Sequence, residues 1–396
     1  MNLVIVTLTS LVLLFINDSK FIYQTSLILL VLIGSFFFFK NKSKKLYYIE
    51  KVIFITFSLY FFTYMIYIFN DQDFAISDID HASRFILLIP LYFAFREIKS
   101  FSFVEKLIIF SSLFTSVFVV ANFALFDVAR SYRYSCISGA QVSLVLGSIT
   151  LFILLGKKNL NVILLLSITV LFSFISVFLS ETRGVIICIP FSITIVIYLR
   201  FNQIKFKYIV YTILLFAVTA YGLVQSVPSL SSRYSKTVEN IKILDQSIKS
   251  GQFHGSSSIT IRYNFIKYGI LAFIEKPIFG SGRNGFRKEM VEKGYDEKYL
   301  IPLTHTHNQF VSDLLMRGLF GFLSTLIFML ILILIFLALR KHCEKEFSSY
   351  GIILILSYLM FFLTDSPFIG SMHATIFFVF CSFLFISLSL HKVSQG

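Results

Sequence analysis

Residues 308–339 read NQFVSDLLMRGLFGFLSTLIFMLILILIFLAL, and from Leu319 to Leu339 the run carries no charge. At a rise of about 1.5 Å per residue, about 20 such residues cross a hydrocarbon core of about 30 Å. The stretch therefore predicts a membrane span entered from a polar segment outside the apolar core. Working outward, comparable runs lie near 2–16, 21–39, 49–69, 83–95, 105–126, 141–156, 160–180, 183–199 and 208–226, then 348–364 and 369–390. The expected fold class is an all-α polytopic membrane protein of about 12 transmembrane helices. Composition points the same way: of 396 residues 57% are hydrophobic and 14% charged, a balance that excludes a soluble or peripheral protein. With 49 Phe, 20 Tyr and no Trp, an aromatic belt must be built from Tyr and Phe.

Charge placement orients the spans. Lys40–Lys45, Arg96–Lys99, Lys157 and Lys158, Arg200–Lys207, Arg340–Lys345 and the tail at Lys392 form short basic connections, as cytoplasmic loops do. Asn17–Lys20, Asp71–Asp80, Ser180–Arg183 and Asp365–Pro367 alternate with them and face outward, which puts both termini in the cytoplasm. The net charge of +14 reads as cytoplasmic loops and contacts with anionic membrane lipid, so nucleic acid is not an expected partner. The first run, Leu3–Ile16, lacks a basic leader and a small-residue cleavage site, and is expected to be a retained span. Cys136, Cys188, Cys343 and Cys381 have no zinc-like or redox-pair spacing and read as fillers.

One connection differs in kind. Residues 227–306 are polar and long enough to hold structure, and divide the chain into helices over 1–226, a periplasmic loop domain over 227–306, and helices over 307–396. The loop holds twelve Lys and Arg against seven Asp and Glu, a net +5, without contradicting its orientation, because long loops cross largely regardless of charge.

Three outward places carry candidate chemistry. In Ser180-Glu181-Thr182-Arg183-Gly184 two spans meet with almost no loop, setting Arg183 at lipid head-group depth, either as a snorkelling anchor or as a ligand for an anion. Ser256-Ser257-Ser258 precede Ile261, Phe265, Tyr268 and Ala272 at helical spacing, a helix ending at Pro277. Arg262 would fall in its first turn, opposed to the helix dipole, which an anion beside it would rationalise and a solvated surface would tolerate. Gly280-Ser281-Gly282-Arg283 reads as a turn. Thr304-His305-Thr306-His307-Asn308-Gln309 leads into the quoted span, whose Gly318 and Gly321 allow close helix packing. A histidine at a helix N-terminus faces the positive end of the dipole, which favours the neutral ring a general base needs. A metal held by His305 and His307 is disfavoured, with no companion Cys or carboxylate nearby in sequence. Two arginine forks suited to phosphate oxygens and a basic histidine at one membrane face describe glycosyl transfer from a lipid diphosphate.

The sequence His307-Asn308, nine residues, Gly318, two residues, Gly321 matches the signature of bacterial O-antigen ligases. Ser180–Arg183 resembles the arginine-bearing corner of that family, and Thr260-Ile261-Arg262-Tyr263 through Lys276-Pro277 resembles its periplasmic loop helix. Arg133-Tyr134-Ser135 with Gly139, and Asp365 at a later corner, are similar more loosely, and the likeness covers roughly residues 130 to 370. The resemblance implies a GT-C-like glycosyltransferase of the bacterial inner membrane with its active site facing the periplasm. It would transfer a glycan from undecaprenyl diphosphate to lipid A-core oligosaccharide with inversion at the sugar. By the same resemblance Arg183 and Arg262 hold the diphosphate and His307 activates the acceptor. Asn308, Arg133, Arg283 and Asp365 would contact substrate, Gly318 and Gly321 would pack helices, and no metal or other cofactor is expected. The rival readings are an O-antigen polymerase, a protein-glycosylating relative and, from another class, a lipid-linked glycan transporter or flippase. Transporters need polar groups at mid-membrane, whereas these span centres are mostly Phe, Leu, Ile and Val.

Overall fold

The computed structural model describes residues 8, 11–12, 20–40, 48–70, 76–95, 101–126, 136–200, 210, 214, 217–218, 221–222, 225–226, 228–250, 258–292, 294, 306–342, 345–369, 377 and 381. Its helices are α1 (Lys20–Lys40), α2 (Tyr48–Asn70), α3 (Ile76–Phe95), α4 (Phe101–Phe126), α5 (Cys136–Leu154), α6 (Leu160–Leu179), α7 (Arg183–Arg200), α8 (Pro228–Ser250), α9 (Ser258–Glu275), α10 (Gly282–Glu292), α11 (Gln309–His342) and α12 (Lys345–Thr364), followed by a 3₁₀ turn Pro367–Ile369. No strand occurs among the described residues. A chain immersed in lipid must satisfy every backbone polar group within its own segment, and the helix does so.

Seven of these helices are long and apolar enough to cross a membrane, and two more, over Gln24–Lys40 and Ala82–Phe95, are apolar but shorter. The chain is thus an all-helical, multi-pass membrane protein. The spans expected near 2–16, 208–226 and 369–390 fall largely outside the described residues.

Two groups of helices share α11 and α12 as their seam. α3 packs against α1 and α2, and α2 against α11. α4, α5, α6 and α7 pack together, with α12 against α5 and α7. Small polar residues let the second group approach closely: Ser173 of α6 bonds Ser112 (2.9 Å) and Ser116 (3.0 Å) of α4. In the first group aromatic rings fill the space, with Tyr60 stacked on Phe328 at 4.4 Å and Phe85 meeting Phe368 at 5.4 Å.

The two ends of the bundle differ. At one, Arg200 donates to Phe152 O (3.1 Å) and grips Glu346 with both terminal nitrogens, and Arg340 donates to Leu199 O (2.7 Å). Basic connections collect there. The α6–α7 corner, the end of α12 and the start of α11 lie at the other, where α9 and α10 pack on α11.

α11 is not the single span the sequence suggested. Its backbone breaks at Gly318 (φ 65°, ψ −164°). Thr325 donates to Asp313 Oδ2 at 2.7 Å across twelve positions, which an unbroken helix would hold about 18 Å apart. Piece 309–317 therefore folds back against the start of 319–342, and the latter piece holds the charge-free apolar run.

Candidate active site at the α11 break

The break is fastened from outside. Leu319 N donates to Pro277 O (2.7 Å), Phe320 N to Ile278 O (3.1 Å) and Ser281 N to Leu315 O (2.9 Å), so the α9–α10 turn clasps the two pieces of α11. A methyl group at Gly318 would sit 2.3 Å from Ile278 O and 2.6 Å from Gly280 N, and the positive φ also demands glycine. Gly321 serves its own chain, since a methyl there would meet Arg317 Cβ at 2.1 Å. These glycines, expected to seat one helix on another, seat a turn and an arginine instead. Gly282 and Arg283, expected in the turn, open α10.

Arg183 opens α7 directly after the corner, where Glu181 takes a left-handed backbone (φ 53°). Ser180 Oγ donates to Val177 O (2.6 Å) and accepts from Thr182 N (3.2 Å), fixing the corner from within. Gly184 abuts Thr364 at the end of α12. That contact brings the corner beside Asp365, the first residue past α12.

His307 stands just before α11, also left-handed (φ 54°), with its Nδ1 3.3 Å from Asp365 Oδ1. Non-glycine residues persist in such backbone only where their surroundings over-determine it, a feature that clusters at functional sites. Both groups are largely enclosed, the His307 side chain 20% and that of Asp365 7% exposed. Gln141 of α5 reaches Asp365 Oδ2 at 3.5 Å.

Arg262 enters from α9. Burial lowers its pKa first, the nearby charge of Arg183 lowers it further, and Asp365 opposes both. Its Nε is buried with no hydrogen-bond partner among the described residues. Arg183, Arg262, His307 and Asp365, from four separate stretches of chain, therefore share one neighbourhood.

A family model described as O-antigen ligase matches residues 168–326. Over this segment the chain is similar to the O-antigen ligase family. The matched segment holds Arg183, Arg262 and His307, while Asp365 lies beyond it. Over 385 residues the chain is 27% identical to an uncharacterized protein of Haemophilus influenzae, covering 92% of this chain and 93% of that one. The chain is thus similar to that relative across nearly its whole length.

The other candidate residues are distributed differently. Asn308 Oδ1 accepts from Val311 N (3.1 Å), capping α11, and its Nδ2 donates to Leu363 O (3.3 Å), so both ends of the amide brace the His307 turn. Arg283 lies in the first turn of α10, with its side chain outside the description. Arg133 and His305 fall outside the described residues. Among the described residues no three His, Cys, Asp or Glu gather as metal ligands would.

Sequence reasoning missed Asp313 and Arg317, which form an ion pair on piece 309–317 with side chains 3% and 2% exposed. Their signal was present: two opposite charges four positions apart within an otherwise apolar stretch mark a pair worth explaining.

Proposed function

We propose that this chain is an O-antigen ligase of the inner membrane. It moves a glycan from undecaprenyl diphosphate to a sugar hydroxyl of lipid A-core oligosaccharide at the periplasmic face, with 227–306 as an outward loop domain. The observation that carries the reading is the convergence of Arg262, Arg183 and the His307–Asp365 pair. Two guanidinium groups brought together in a partly enclosed site suit the oxygens of a diphosphate. The guanidinium fork matches phosphate oxygens pairwise, and the charge it meets grows as the leaving group departs.

In this reading Asp365 accepts the Nδ1 proton of His307 in a hydrogen bond, which fixes the tautomer and leaves Nε2 as the nitrogen that takes a proton. The acceptor hydroxyl gives its proton to Nε2 while its oxygen attacks the anomeric carbon. The bond from that carbon to the diphosphate oxygen breaks on the opposite face, which inverts the linkage. The electron pair leaves with the diphosphate beside Arg183 and Arg262. Every charge that appears has a counterpart among the chain's own side chains, so no metal is invoked.

The test is transfer by the purified protein between a defined lipid-diphosphate-linked glycan and core lipid, with and without chelator. Glycosylated core lipid is expected in both conditions, and none with His307→Ala. Elongation of the lipid-linked glycan without transfer to core would instead mark a polymerase.

A further inference from the structure

A membrane protein gains little by burying an ion pair inside its own apolar bundle. Two charges taken from water cost more than their attraction returns unless each is fully bonded, and apolar residues of like volume often serve stability equally well. Asp313 and Arg317 are nevertheless buried in the fold of α11, and their bonds lead in a definite direction.

The Asp313 carboxylate accepts from Arg317 Nε (3.1 Å), Thr325 Oγ1 (2.7 Å) and Gln309 Nε2 (3.0 Å). The guanidinium of Arg317 also donates to Thr325 Oγ1 (2.8 Å) and lies 4.0 Å from the centre of the Tyr64 ring. On one side, then, the pair anchors piece 309–317 to piece 319–342 and to α2. On the other side Gln309 Oε1 accepts from Phe368 N (2.9 Å), in the turn that begins at Asp365. Ser312 bonds Ser366 (2.9 Å) in the same turn and Thr306 (2.7 Å), the neighbour of His307. One short helix thus holds His307 at its head and the Asp365 turn along its flank. The glycine signature fits the same arrangement, because Gly318 permits the fold-back and Gly321 makes room for Arg317.

We propose that Asp313 and Arg317 are positioning residues for the transfer reaction. Their ion pair fixes the folded-back piece 309–317, and through Gln309 the turn of Asp365, so that carboxylate and imidazole meet. This rests on the ligase reading for its kinetic consequence but not for its structural one. The pair touches no reacting atom; it sets the distance between two groups that do.

The experiment uses the full chain in lipid nanodiscs. The double variant Asp313→Leu/Arg317→Met removes both charges and keeps the bulk, so a purely structural pair predicts a folded protein of wild-type turnover. Positioning predicts instead that the double variant unfolds no earlier than wild type and keeps its donor KM. Its kcat should fall about a hundredfold, the order expected when reacting groups are misplaced by about 1 Å. Hydrogen exchange of a peptide covering 361–369 should speed up about tenfold, the loss of about one hydrogen bond's worth of protection, while 326–340 stays protected. Gln309→Met cuts the link to Phe368 together with the one bond Gln309 gives Asp313, keeps both charges of the ion pair and its bonds to Thr325, and should reproduce both changes. If the double variant fails to fold, the Gln309→Met exchange decides the matter. Wild-type exchange at 361–369 in Gln309→Met, or wild-type kcat in a folded double variant, overturns the proposal. If the wild-type protein transfers nothing, the ligase reading fails, and the exchange measurement, which needs no substrate, still tests the positioning role.

Discussion

Gly318→Ala should be among the most damaging single-methyl additions this protein can receive. Backbone at φ 65° and ψ −164° is open to glycine almost alone, and holding a residue with a Cβ there costs about 1–3 kcal/mol. The methyl would also stand 2.3 Å from Ile278 O and 2.6 Å from Gly280 N, so the α9–α10 turn must move off α11. That parts the bonds from Leu319 N to Pro277 O and from Phe320 N to Ile278 O, each contributing about 0.5–1.5 kcal/mol. The combined loss is about 2–6 kcal/mol. Equilibrium unfolding in mixed micelles with a rising fraction of denaturing detergent measures it, and hydrogen exchange across 276–283 shows whether the clasp has opened. Gly222→Ala is the control, because a methyl there meets no described atom within 4 Å. A loss under about 1 kcal/mol, with 276–283 still protected, would refute the argument that the break at Gly318 is held by that turn.

Other outcomes follow from the site. Asp365→Asn keeps the size of the side chain but not the charge that orients His307, and kcat for transfer should drop about 10²–10⁴-fold; wild-type kcat would separate Asp365 from catalysis. His307→Ala should abolish transfer in vitro and leave lipid-linked glycan to accumulate in cells, while His305→Ala keeps most activity; equal loss at both would point to a metal. Arg183→Lys should raise the donor KM despite the retained charge, since an ammonium lacks the two-pronged fork, and an unchanged KM would favour simple membrane anchoring. Inorganic pyrophosphate should stabilise the wild-type protein by about 2.7 kcal/mol at a hundredfold excess over Kd. Arg262→Gln should lose most of that gain in thermal unfolding, and equal stabilisation of variant and wild type would remove Arg262 from the anion site.

The amino-acid sequence by itself determined where most of the helices lie. Runs such as 105–126 and 348–364 fall on helices Phe101–Phe126 and Lys345–Thr364, because a bilayer demands about 20 apolar residues whose backbone is satisfied within the segment. It also supplied the individual chemical groups, for Arg183, Arg262 and His307 each stand at a change from apolar to polar sequence. What it could not supply was their company. His307 and Asp365 are separated by 58 positions, and only the packing of α12 against α7 and α11 closes that gap. Nor does local sequence reveal the break in α11: 309–317 and 319–342 are both good helix formers, and one glycine between them is tolerated in many unbroken spans. The fold-back is fastened by the carbonyls of Pro277 and Ile278, which accept from Leu319 N and Phe320 N, and those partners are remote in sequence.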